Sequence, residues 1–189
     1  MTKRLLKKAS IPGLILVLVT LPPAWKTVRD MLPLPDTLTP GSSGRVQPQV
    51  VDRHGIPLSI TYQNPWNIHN WTPLYRIPPL LRQAFIFSED KRFLSHGGVD
   101  WRARCRALIQ NAAAGRVVSG ASTLSEQVVR MLHPRPRTVW SRWLEGFEAW
   151  ELESRFSKAE ILEFYLNQVP YARQRRGCLL YTSPSPRDS

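Results

Sequence analysis

The densest group of reactive side chains in this 189-residue sequence is Ser88-Glu89-Asp90-Lys91-Arg92-Phe93-Leu94-Ser95-His96-Gly97-Gly98. Two adjacent carboxylates, two cations and a histidine lie between Glu89 and His96. A carboxylate serves as a general base when apolar neighbours disfavour its charged form, and Phe85, Phe87 and Phe93 could surround Glu89 in that way. The same residues also describe a charged helix end in water, and composition alone favours that plainer reading. His96 is better suited to a structural hydrogen bond holding the loop after Glu89 than to catalysis. Further on, Gly120-Ala121-Ser122-Thr123-Leu124-Ser125-Glu126-Gln127 is a small-residue turn opening a helix. Arg130 and Arg142 follow it, and a solvated helix face is a sufficient reading of both. Cys105 and Cys178 are the only cysteines, without a CxxC or a Cys/His cluster, so neither a disulfide framework nor a metal site is indicated.

These residues need elements to position them, and from Pro78 onward the pattern is helical. Pro78-Pro79 can open a helix whose apolar side is Leu80, Leu81, Ala84, Phe85 and Phe87. A second helix runs from near Asp100 over Trp101, Cys105, Leu108 and Ile109 to a stop at Gly115. Cys105 then reads as a buried free thiol. Thr123-x-x-Glu126 and Ser157-x-x-Glu160 have capping-box form and open a third and a fifth helix. Between them, Trp140, Trp143, Leu144, Phe147 and Trp150 recur at helical steps, with the tryptophans expected in packing or against a membrane. Upstream, 49–52 and 58–62 alternate like two short strands around a turn, 53–57, that contains His54.

Lys+Arg 26 against Asp+Glu 14 gives a net charge of +12, which narrows the partners to nucleic acid, anionic lipid or a phosphorylated substrate. Lys3, Arg4, Lys7 and Lys8 precede an apolar run from Ile11 to Leu21. Pro22-Pro23-Ala24-Trp25 is a poor cleavage site, so an uncleaved anchor fits better than a removed signal peptide. The basic cluster would stay in the cytoplasm and the rest of the chain would lie outside. The segments are then a cytoplasmic tip and anchor (1–28), a Pro/Gly/Ser-rich linker (29–48), a short β or irregular segment (49–77), a helical domain (78–177) and a tail (178–189).

Four stretches, taken in order, resemble the signatures of the peptidoglycan glycosyltransferases, the polymerase domain of class A penicillin-binding proteins. They are Glu89-Asp90-x-x-Phe93-x-x-His96-x-Gly98, then Gly120 to Gln127, then Arg142-x-x-Glu145 with Leu152-Glu153 and Ser157-Lys158, and lastly Tyr165-Leu166-Asn167-Gln168-Val169-Pro170-Tyr171. Val169-Pro170-Tyr171 is similar to the penicillin-binding protein 1C subtype. The resemblance implies a mainly α, lysozyme-like domain, here incomplete, standing behind one transmembrane helix and a short β-hairpin. It implies polymerisation of lipid II on the outer face of the bacterial inner membrane, with inversion at the anomeric carbon and release of a polyprenyl pyrophosphate. Glu89 would be the base and Glu145 the second catalytic glutamate. Asp90, Phe93, His96, Gly98, Ser122, Thr123, Gln127, Arg130, Arg142 and Asn167 would form the substrate site. The glutamate assignment is one of register, in which Glu148 is a bystander whose loss is mild. Partners would be lipid II, the growing glycan strand, the membrane and other cell-wall synthesis proteins, but not nucleic acid. No cofactor is implied, and any Mg2+ or Mn2+ would accompany the substrate pyrophosphate rather than a fixed protein site.

Two departures from the signatures stand out. Ala172 replaces a glycine, and Glu126 replaces Met or Gln, adding negative charge beside the donor groove. After Gly177 the chain reads Cys-Leu-Leu-Tyr-Thr-Ser-Pro-Ser-Pro-Arg-Asp-Ser, without apolar periodicity, as expected of foreign sequence joined to a true frame. A lysozyme-like muramidase also needs one sheltered glutamate in an α fold and is the competing enzymatic reading. A non-catalytic basic membrane-surface protein is the third.

Overall fold

The computed structural model describes residues 23–39, 52–54, 66–67 and 71–170. The chain divides into two compact units, 1–33 and 34–189. In the first, residues 23–30 are helical. No helix among the described residues is long and apolar enough to cross a membrane. The proposed anchor core lies outside the described residues, as do the strands of the proposed hairpin apart from Asp52. Of the hairpin segment only 52–54 are described, and there the His54 N–H donates to Asp52 Oδ1 at 2.8 Å.

The second unit is mainly helical, and no strand occurs among its described residues. Helix α1 (Pro79–Glu89) has proline in its first turn, where the missing N–H would lack an intrahelical partner in any case. Helix α2 (Trp101–Ala114) is capped by Asp100, whose side chain accepts from Ala103 N. It stops at Gly115, which is left-handed at φ 62. Both expected capping boxes form, Thr123 with Glu126 opening α3 (Leu124–Leu132) and Ser157 with Glu160 opening α5 (Lys158–Gln168). Helix α4 (Val139–Arg155) is capped by Thr138.

The core gathers around α3. Its Leu124, Val128 and Val129 are fully buried against α4, through Ala149 and Leu152, and against α5, through Ile161 and Leu166. Leu81, Phe85 and Ile86 of α1 lie partly buried on this cluster. The stretch before α1 is stapled to α5 by polar groups. Asn167 accepts from Thr72 N and donates to Thr72 O, each at 2.8 Å. Glu163 accepts from Trp71 Nε1 at 3.0 Å and from Leu74 N at 2.7 Å.

One expectation about a buried face is overturned. Cys105 is exposed, and so are Trp101, Leu108 and Ile109, because α2 turns Ala107 inward instead. On α4 the aromatic stripe of Trp143, Phe147 and Trp150 faces outward, while the buried face carries Glu145 and Glu148 beside Leu144, Ala149 and Leu152. Helical periodicity shows that one face is apolar, but it does not say which neighbour covers it.

Candidate active site

Glu89 ends α1 and is exposed, and its Oε2 accepts from Gln127 Nε2 at 3.1 Å. The phenylalanines expected to shelter it are placed otherwise. Phe87 points to solvent at 64 % exposure, Phe93 is wholly buried, and Phe85 packs edge-on against Tyr165. The polar neighbour Gln127 therefore holds the carboxylate.

The loop after Glu89 is held from beneath. Asp90 is buried, accepts from Leu124 N at 3.1 Å, and faces His96 Nε2 at 2.9 Å. Phe93 anchors the loop in the core, and Lys158 Nζ lies 4.4 Å from the centre of its ring. Lys158 also donates to His96 O at 2.8 Å and to Glu153 Oε1 at 2.7 Å, and Glu153 accepts from the Ser125 hydroxyl as well. Gly98 has φ 82, and a side chain there would meet Trp150 N at 2.6 Å, so only glycine fits. Thr123, the α3 cap, donates to Gly98 O at 2.6 Å. Asp90, Phe93, His96, Gly98 and Thr123 thus face protein partners and hold the loop in place. Asn167 has its amide taken up by Thr72 and by Glu163 O, as a staple of the fold.

A second group lines a cleft of about 320 Å³ between α2, the loop before α3 and α4. Its walls include Arg104, Ser122, Glu126, Arg142 and Glu145. Arg130 donates a two-point fork to Glu145, at 3.1 and 2.7 Å, and reaches Ser122 Oγ at 3.4 Å. The hydrogen bond to Glu145 holds the Arg130 guanidinium above its ordinary pKa, so its charge is secure. Arg142 is exposed at the cleft wall. The charge of Glu126 is met directly, since the buried side chain pairs with Arg104 and accepts from Thr123 N at 2.9 Å.

Several of these partners were not apparent in the sequence. Arg104, Ser125, Tyr165 and the Glu153–Lys158 pair act across distant segments, and helical spacing carries no signal for them. Glu148 is fully buried and pairs with Arg135 through bonds of 2.8 and 2.6 Å, with His133 Nδ1 at 2.9 Å, so its substitution would disturb the core whatever its effect on turnover. Among the described residues no group of three or more His, Cys, Asp or Glu side chains is arranged to hold a metal ion.

The fold and site define a helical domain that presents one exposed glutamate at a helix end beside a braced loop, with a cleft whose walls carry Arg104 and Arg142 together with Glu126 and Glu145. The family described as Transglycosylase matches residues 58–179, and the chain belongs to that family. A biosynthetic peptidoglycan transglycosylase of Aromatoleum aromaticum is 38% identical over 111 residues, covering 58% of this chain and 48% of the relative. Penicillin-binding protein 1C of Escherichia coli is 36% identical over 135 residues, covering 68% of this chain and 17% of the relative. Penicillin-binding protein 1A of Neisseria cinerea is 41% identical over 106 residues, covering 56% and 13% respectively. The 1C likeness is therefore one of several, and the match reaches about half the length of the first relative and under a fifth of the other two.

Proposed function

We propose that the chain carries part of a lysozyme-like glycosyltransferase that polymerises lipid II in cell-wall synthesis. The observation that carries this reading is the single face of α3. Gln127 reaches Glu89, and Arg130, three residues on, reaches Glu145 and Ser122, so one helix links the two groups.

In the reaction, Glu89 removes the proton from the acceptor GlcNAc 4-hydroxyl. That oxygen attacks the anomeric carbon of the donor as the bond to the polyprenyl pyrophosphate breaks, and the configuration inverts. The bonding pair leaves with the pyrophosphate, whose growing charge is met by Arg130 and Arg142. Glu145 holds the Arg130 fork toward the cleft, and Ser122 and Gln127 line the donor groove. Asp90, Phe93, His96, Gly98, Thr123 and Asn167 act by positioning. Any Mg2+ or Mn2+ enters on the pyrophosphate. The chain sits at the inner membrane as a single-pass protein with its catalytic part outside, and it works beside other cell-wall synthesis proteins. A muramidase acting on a neutral glycan would have no task for Arg142 exposed at the cleft wall.

The test is lipid II polymerisation by the chain in a version carrying the full family length, with Glu89→Gln and Glu145→Gln beside it. Glu89→Gln should lower the rate ~10²–10⁴-fold, the usual loss of a general base, and should leave thermal unfolding almost unchanged because Glu89 is exposed. Glu145→Gln should also impair turnover. Near-normal polymerisation by a folded Glu89→Gln protein would remove the reading. Cleavage of finished glycan without release of polyprenyl pyrophosphate would replace it with the hydrolytic one.

A further inference from the structure

Resting on the reading of Glu89 as the base, we infer that Tyr165 is a positioning residue for that base and acts through the side-chain amide of Gln127. Tyr165 OH lies 3.3 Å from Gln127 Oε1, and Gln127 Nε2 lies 3.1 Å from Glu89 Oε2. The chemistry sets the direction of both bonds. An ionised carboxylate only accepts, so Gln127 must turn its NH2 toward Glu89. Its carbonyl oxygen then faces Tyr165, and the phenol must donate. If the amide flipped, its oxygen would oppose the carboxylate and its NH2 would meet the phenol. The carboxylate thus selects the orientation, and the Tyr165 hydroxyl, able to donate or accept, holds the amide in it by donating to Oε1.

The anchor for this arrangement is firm. Tyr165 is 2% exposed on α5, within the core cluster. Its ring meets Phe85 edge-on, with centroids 6.2 Å apart. Phe85 and Glu89 are four residues apart on α1 and share a face of that helix. One tyrosine thus grips α1 through its ring and steers the end of α1 through its hydroxyl. Glu89 is exposed at a helix terminus and would otherwise move among rotamers, each unsuited to a fixed acceptor. Gln127 engages Oε2, whereas Oε1 has no partner among the described residues and is left for the incoming hydroxyl.

The experiment follows the Gln127 side-chain amide by NMR in the full 189-residue chain labelled with ¹⁵N-glutamine, with and without Glu89→Gln. Replacing the charged acceptor in Glu89→Gln should move the Gln127 NH2 resonances, and the size of that movement is the response. In Tyr165→Phe, which keeps the ring, less than half of the response should remain. In lipid II turnover, Tyr165→Phe and Gln127→Met should each lower kcat roughly 3- to 10-fold with KM unchanged, the size of one net hydrogen bond, and together should lower it no further. A full Gln127 response in folded Tyr165→Phe, additive kcat losses, or unfolding of Tyr165→Phe would each overturn the inference and leave the base reading intact. Normal turnover by Glu89→Gln would overturn both, whatever the resonances do.

Discussion

Glu126 is placed so that it both caps a helix and opposes its own charge. Burial disfavours the carboxylate, the Thr123 N–H and Arg104 favour it, and burial prevails, raising the pKa above the ordinary 4.5. Above that value the folded chain holds a proton that the unfolded chain has released. Stability attributable to Glu126 therefore falls as pH rises through the window above 4.5. Urea unfolding at a series of pH values should show Glu126→Gln gaining on the unchanged chain through that window, and parallel curves would refute the assignment. Glu148 behaves differently, because the Arg135 guanidinium meets its charge directly and His133 Nδ1 lies 2.9 Å from it. Glu148→Gln should cost about 3 kcal/mol of stability, since it strands Arg135 opposite a neutral group. Glu148→Met combined with Arg135→Met should recover part of that loss in the same unfolding measurement.

Among the elements, α3 joins the parts. Its cap Thr123 satisfies Glu126 N, and its hydroxyl reaches Gly98 O, so one residue starts the helix and pins the loop that carries Asp90 and His96. Thr123→Ala should cost about 1–2 kcal/mol by denaturant unfolding, while Thr123→Ser should retain most of the stability. An equal loss in both would point to the methyl group rather than the hydroxyl. The two capping boxes were legible beforehand because a cap is made within four consecutive residues. The inward face of α2 was not, since Ala107 and Cys105 differ in burial only by what α2 packs against.

For the whole molecule, the proposal is a chain whose basic first residues stay in the cytoplasm and whose helical domain lies outside. A reporter fused after residue 75 should be active only outside the cytoplasm, and cytoplasmic activity or a mature N-terminus beyond Trp25 would defeat that topology. The sequence alone specified five helices, both capping boxes, the stop at Gly115, and the segments that carry Glu89, Arg130 and Glu145. Each of these depends on neighbours within a turn or two, or on a local motif, and so leaves a linear trace. Packing decided what surrounds those residues. Gln127 rather than a phenylalanine cage holds Glu89, Arg104 answers Glu126, Arg135 answers Glu148, and Asn167 staples Thr72. Such partners lie 13 to 95 residues apart, and their meeting depends on which helix faces enclose the core around α3, which no short-range pattern encodes.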